Sequence, residues 1–136
     1  MGDERGETAE TSTTVQTMGE DGILYVRLKP GSQVTLDDAQ ASLRVTDELA
    51  GNRRIAVLVD ARPARSITRD ARIAFSDSES RRNTIAQAIV VASGVSRAMG
   101  SFFIGLNRPA FPVRLFTAEA EAVAWLKGFL AGAPDR

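Results

Sequence analysis

The sequence predicts an α/β domain in which an antiparallel hairpin leads into a mainly parallel sheet with about four helices. Three observations predict it. Short apolar runs alternate with amphipathic stretches from residue 23 onward. Two β-prone runs flank a Gly-Glu-Asp-Gly tetrad at residues 19–22. Helix caps and breakers stand at the joints between runs. Alternation of this kind gives parallel strands joined by right-handed crossovers.

The hairpin comes first. Residues 13–18 (TTVQTM) and 23–28 (ILYVRL) are strand-like, and the tetrad between them is a turn by composition. Pro30 and Gly31 end the second strand. Thr35 is placed to cap a helix, with Asp37 and Asp38 near the positive end of its dipole. Leu36, Ala39, Leu43, Thr46 and Ala50 fall on one stripe, and Gly51-Asn52 ends it. Residues 55–61 (IAVLVDA) are nearly all apolar, as in a central strand covered on both faces, and Pro63 breaks the run.

Thr68 opens a second helix that runs to about residue 82. Ile73 and Phe75 are its apolar contacts in an otherwise charged, solvated stretch. Residues 84–92 (TIAQAIVVA) form the next central strand. Residues 94–107 read as a helix with Val95, Met99, Phe102, Phe103 and Leu106 inward. Residues 113–116 (VRLF) are the last strand. Thr117 caps a final helix with Val123, Leu126 and Leu130 on its apolar stripe, flanked by Trp125 and Phe129. Residues 1–12 are acidic, lack periodicity and are expected to be a disordered tail. The ordered domain is expected over 13–130, with a frayed end at 131–136. No internal repeat is present.

Composition narrows the function. At 136 residues, with 43% of them apolar, the chain suits one domain with its own core. It has no Cys and no His, which excludes thiol nucleophiles, imidazole bases and disulfides, and takes away the commonest zinc ligands. No catalytic residue, metal site or cofactor is expected. The longest mainly apolar run, residues 86–95, is far below the ~20 residues of a membrane helix. The start, Met-Gly-Asp-Glu, is acidic and unlike a signal peptide. A cytoplasmic setting without membrane insertion is therefore expected.

The zero net charge hides an asymmetry. Residues 1–22 carry six acids against Arg5, so the rest of the chain is +5. Fifteen of the 17 basic residues are Arg, which suits anion recognition and equally suits a biased composition. From Asp60 to Arg82 lie six arginines and four acids. Arg65, Arg69 and Arg72 share a helical face if the helix starts early enough. No aromatic residues alternate with them, so nucleic acid is not the expected partner.

No phosphate loop of the GxxxxGK[ST] or GxGxxG kind is present, and no GxSxG elbow. Asp60 is the one carboxylate at the C-terminal end of a central strand, the edge where open α/β sheets bind ligands. Its plainer role is to cap a loop or pair with Arg62 or Arg65. The candidate ligand or partner site is Asp60, Arg62, Arg65, Ser66, Thr68 and Arg69. The plainer role of Thr68 is a helix cap.

The DGILYVRL strand, the IAVLVDA run with Asp60 at its end and the closing VRLFTAEAEAVAWL unit together resemble the STAS superfamily, the fold of SpoIIAA-type anti-sigma-factor antagonists. The chain is similar to an uncharacterised bacterial subgroup in which a PVRLF strand leads into a helix ending AxxWL. The resemblance covers about residues 13–130. It implies a SpoIIAA-like fold and a non-enzymatic regulatory or protein-interaction role, with another protein as partner. The antagonists carry a phosphorylatable Ser within D-S-[ST]-G at the start of the helix after the Asp-ended strand. This chain reads SITRDA at residues 66–71, with Arg69 or Asp70 where that Ser would fall. Ser66 and Thr68 are the nearby hydroxyls. A small-molecule or lipid-binding role is the alternative, with the 95–106 helix lining an apolar cavity. A homodimer is also expected, because a polar second helix would leave a sheet face short of cover.

Overall fold

A computed structural model describes residues 7–76, 83–92 and 111–132. Strands β2 (Thr14–Met18) and β3 (Ile23–Leu28) form the expected antiparallel hairpin, with Thr14 opposite Leu28 and Met18 opposite Leu24. Its turn closes with the Gly19 N–H donating to the Ile23 carbonyl at 2.8 Å. Gly22 holds φ +86°, a left-handed conformation that a Cβ would strain.

A strand precedes the hairpin. β1 (Thr8–Glu10) pairs antiparallel with β2, placing Ala9 opposite Gln16. This corrects the expectation of disorder throughout residues 1–12. Three residues are too short to show a period, and the pairing is imposed by the β2 edge rather than by the TAE sequence.

After β3 the chain makes β4 (Gln33–Val34) and helix α1 (Leu36–Ala50). Thr35 caps α1 as expected, in a full capping box. Its hydroxyl accepts from the Asp38 N–H, and the Asp38 carboxylate accepts from the Thr35 N–H at 3.0 Å. β5 (Ile55–Asp60) follows and is buried along its whole length. Then come β6 (Ser66–Ile67), α2 (Arg69–Ser76), β7 (Thr84–Val90), β8 (Val113–Phe116) and α3 (Glu119–Gly132). The main sheet runs β1-β2-β3-β5-β7-β8, parallel from β3 onward. The α/β class and the hairpin-to-parallel order are as the sequence predicts. Three helices lie among the described residues, and the one expected over 94–107 falls outside them. The last helix extends past residue 130 to Gly132.

The sheet is buried on both faces. Leu24, Val26, Val57, Val59 and Ile89 pack under α1 and α2. Ile23, Ala56, Leu58, Ala88 and Val90 meet Ala122 and Leu126 of α3. The small side chains on this second face let α3 sit close to the strands. Helix α2 is less solvated than its composition suggests. Ala71 and Phe75 are buried in the first core, so the polar-helix argument for a homodimer loses its premise.

A buried polar network fixes α1 over the hairpin. Gln16 Nε2 donates to the Ser42 carbonyl and the Thr46 hydroxyl donates to Gln16 Oε1, both at 2.8 Å. Gln16 is fully buried, and these bonds offset the cost of taking an amide out of water.

Candidate functional site

The site is built where β5 ends. Parallel pairing sets Arg27 of β3 beside Asp60 of β5 in register. Strand alternation turns both toward the α3 face. The strand ends at Asp60, and a turn over residues 61–64, with Pro63 in it, carries Arg62 back over Asp60. The Arg62 Nε donates to Asp60 Oδ1 at 2.8 Å, its Nη2 donates to Oδ2 at 2.9 Å, and its backbone N–H reaches Oδ1 at 3.2 Å. From the facing helix Glu119, the first residue of α3, receives both terminal nitrogens of Arg27 at 2.9 and 3.1 Å. Arg27 Nη1 also lies 3.5 Å from Asp60 Oδ2, and Arg62 Nη2 lies 3.6 Å from Glu119.

Two guanidiniums and two carboxylates thus form a quartet with no net charge. Arg62 donating to Asp60 holds that carboxyl below its ordinary range, against the opposing effect of burial. Arg27 does the same for Glu119. Both guanidiniums are in turn held more firmly protonated. A carboxylate saturated by cations at neutral pH is a poor proton acceptor, so the geometry suits a clamp better than a general base.

The segment beyond Arg62 is held by backbone bonds. The Gly31 N–H donates to the Pro63 carbonyl at 2.9 Å, and the Arg65 and Ser66 N–H groups both donate to the Ser32 carbonyl at 2.8 and 3.2 Å. β6 pairs in parallel with β4 through Gln33–Ser66 and Val34–Ile67. The Thr68 N–H donates to Val34 at 3.0 Å. Two-residue strands carry no sequence period, so this small second sheet was not expected.

The six candidate residues therefore divide. Asp60 and Arg62 come together inside the quartet. Arg65, Ser66, Thr68 and Arg69 are exposed along the tethered segment. The Thr68 hydroxyl is used locally, accepting from the Ala71 N–H at 3.3 Å and donating to Asp70 at 2.6 Å, as a cap does. The arginine face expected over Arg65, Arg69 and Arg72 does not form. The helix starts at Arg69, leaving Arg65 in the preceding bend, and Arg72 Nη1 turns inward to the Ile67 carbonyl at 2.6 Å. Among the described residues, the Arg65 and Arg69 guanidiniums have no carboxylate partner.

Arg27 and Glu119 were missed by sequence reasoning. Their signal is the outward position of Arg27 in the alternating ILYVRL run and an acid at the first position of the last helix. Beneath α2 lies an apolar hollow of about 10 Å³ between Val59, Ile67, Phe75 and Ile89, no larger than one water. At the other end of the sheet an open trough of about 480 Å³ runs along Thr17, Glu20, Asp21 and Tyr25.

The family model described as "Domain of unknown function (DUF7793)" matches residues 17–130. The chain belongs to this family. The matched DUF7793 segment contains the whole quartet and the tethered arginine segment. No curated protein matches the chain. Among solved structures the chain is similar to an uncharacterised protein of the DUF3478 family with a SpoIIAA-like fold, from Shewanella loihica PV-4. That pair has a TM-score of 0.54 and 12% identity, over 93% of this chain and 98% of that one. The fold of this DUF7793 chain is SpoIIAA-like. A protein of unknown function from Arthrobacter sp. fb24 is 32% identical, over 82% of this chain and 96% of that one, with a TM-score of 0.35. No helix among the described residues is long and apolar enough to cross a membrane.

Proposed function

We propose that this protein is a non-enzymatic, STAS-type interaction module that works in the cytoplasm and binds an acidic surface of another protein. One observation carries the reading. The segment after β5 is fixed by the quartet on one side and by the β4–β6 pairing on the other, yet it turns Arg65 and Arg69 outward without carboxylate partners among the described residues. A preordered cationic edge loses little conformational freedom on binding, and guanidinium groups fork onto carboxylates. Asp60 and Arg62 support this surface from below rather than touching the partner, while Ser66 and Thr68 lie on its rim.

A small-molecule or lipid-binding role is the second reading. The apolar hollow under α2 holds no more than a water, far below the roughly 300 Å³ of a ligand pocket, and the 95–106 helix expected to line an apolar cavity lies outside the described residues. Nucleic acid is disfavoured by the absence of aromatic side chains among the arginines of this segment. Native mass spectrometry of protein purified from its own source organism tests the reading. A co-purifying protein that dissociates as salt rises is the expected result. A bound lipid or metabolite mass, with no protein partner, would contradict it.

A further inference from the structure

The edge of the sheet at β1 and β2 has an arrangement that the functional reading does not use. β2 reads TVQTM, a strand with no charge and no proline. Its inward side chains Thr14, Gln16 and Met18 are buried, so its register is fixed. Segments of this type pair readily with another strand when their edge is free.

β1 covers that edge, and it is held lightly. Its ladder is three residues long, with Thr8 and Glu10 exposed. Beyond it stand the packing of one small side chain, Ala9, against the core, a backbone bond at each end of the ladder, a Thr8–Thr17 hydroxyl contact at 3.2 Å and an ion pair from Lys29 to Glu10 at 2.8 Å. Short, exposed edge elements open at low free energy. Glu7 and Glu10 both stand at this edge. Like charges at the same edge of two copies repel, which is how natural sheets protect an edge.

We propose that β1 is a releasable guard and that the β2 edge beneath it is a pairing surface for a second copy of this chain. The edge already accepts an antiparallel strand. The Met18 N–H donates to the Glu7 carbonyl and the Thr11 N–H to the Thr14 carbonyl, so by ladder alternation Ala9 and Gln16 also exchange hydrogen bonds. The amides of the even β2 residues therefore face the edge. Two β2 strands related by a two-fold axis at Gln16 satisfy each other, with Thr14 opposite Met18 of the second copy. This offers a five-residue ladder in place of three and keeps the α1 faces of both copies on one side. Val15 would stand opposite Thr17 across the axis.

Sedimentation velocity of the full chain at micromolar concentration tests this. Ala9→Pro removes the β1 donor to Gln16 and should shift the protein from monomer to dimer. Adding Val15→Glu and Thr17→Glu, which face like charges across the axis, should return it to monomer. A folded Ala9→Pro variant that stays monomeric overturns the proposal, as does a dimer that survives the added glutamates. Should Ala9→Pro unfold, Glu10→Ala decides. It removes the tie to Lys29 together with one of the edge's like charges, and should strengthen self-association, the ion pair alone contributing up to about fivefold. No gain over wild type overturns the proposal.

Discussion

Arg62 folds back onto Asp60 two residues before it, with Nε at 2.8 Å from one carboxylate oxygen and Nη2 at 2.9 Å from the other. Asp60 is buried, while Arg62 remains half in water. Removing the acid therefore leaves cations that can rehydrate, which limits the damage. Asp60→Ala should lower stability by about 1–3 kcal/mol, the range for losing charged hydrogen bonds at a partly buried site. Chemical denaturation measures it. A loss within experimental error would show that the quartet does not hold the segment after β5.

The pH dependence follows from the same group. Asp60 and Glu119 both have folded-state pKa values below their ordinary ones, through Arg62 and Arg27 respectively. As pH falls, the unfolded chain takes up protons first. The stabilisation is thus complete above the unfolded carboxylate range near about 4 and is lost as pH falls through the folded values. Thermal unfolding midpoints between about pH 6 and pH 3 should drop less steeply in an Asp60→Asn, Glu119→Gln double variant than in wild type. Equal slopes would contradict the assignment.

Tyr25 gives a spectroscopic check, because it is the only tyrosine in the chain. Its pKa is pushed up to about 12, mainly by burial and then by the hydrogen bond its hydroxyl donates to Asp21 at 2.8 Å. Alkaline absorbance titration should give one midpoint near that value. Above about pH 10 the unfolded chain loses this proton first, so stability should fall as pH rises toward the folded value. Asp21→Asn should lower the midpoint without returning it to the ordinary value, since burial persists. A native midpoint near 10 would contradict the packing around Tyr25.

The elements legible in the sequence are those whose own side chains decide them. The IAVLVDA run, the Thr35 cap and the Gly19–Gly22 turn each need only local chemistry. β1, β4 and β6 were not legible, because strands of two or three residues have no period and exist through a partner strand. The site splits the same way. Arg62 sits close enough in sequence to Asp60 for their pairing to be expected. Glu119 lies 92 residues from Arg27, and only the seating of α3 against β3 brings them together. The arginine face failed because the β4–β6 pairing holds residues 66–67 extended and delays the helix to Arg69.

The claim that Arg65 and Arg69 form the partner surface is tested most directly by capture from a lysate of the source organism. Wild type is compared with an Arg65→Ala, Arg69→Ala double variant, and the bound proteins are quantified by mass spectrometry. Both side chains are exposed and without carboxylate partners among the described residues, so the stability change should stay within about 0.5 kcal/mol. The account predicts that the double variant loses a specific acidic partner while unfolding at the wild-type temperature. Undiminished capture by a variant of unchanged stability would contradict it.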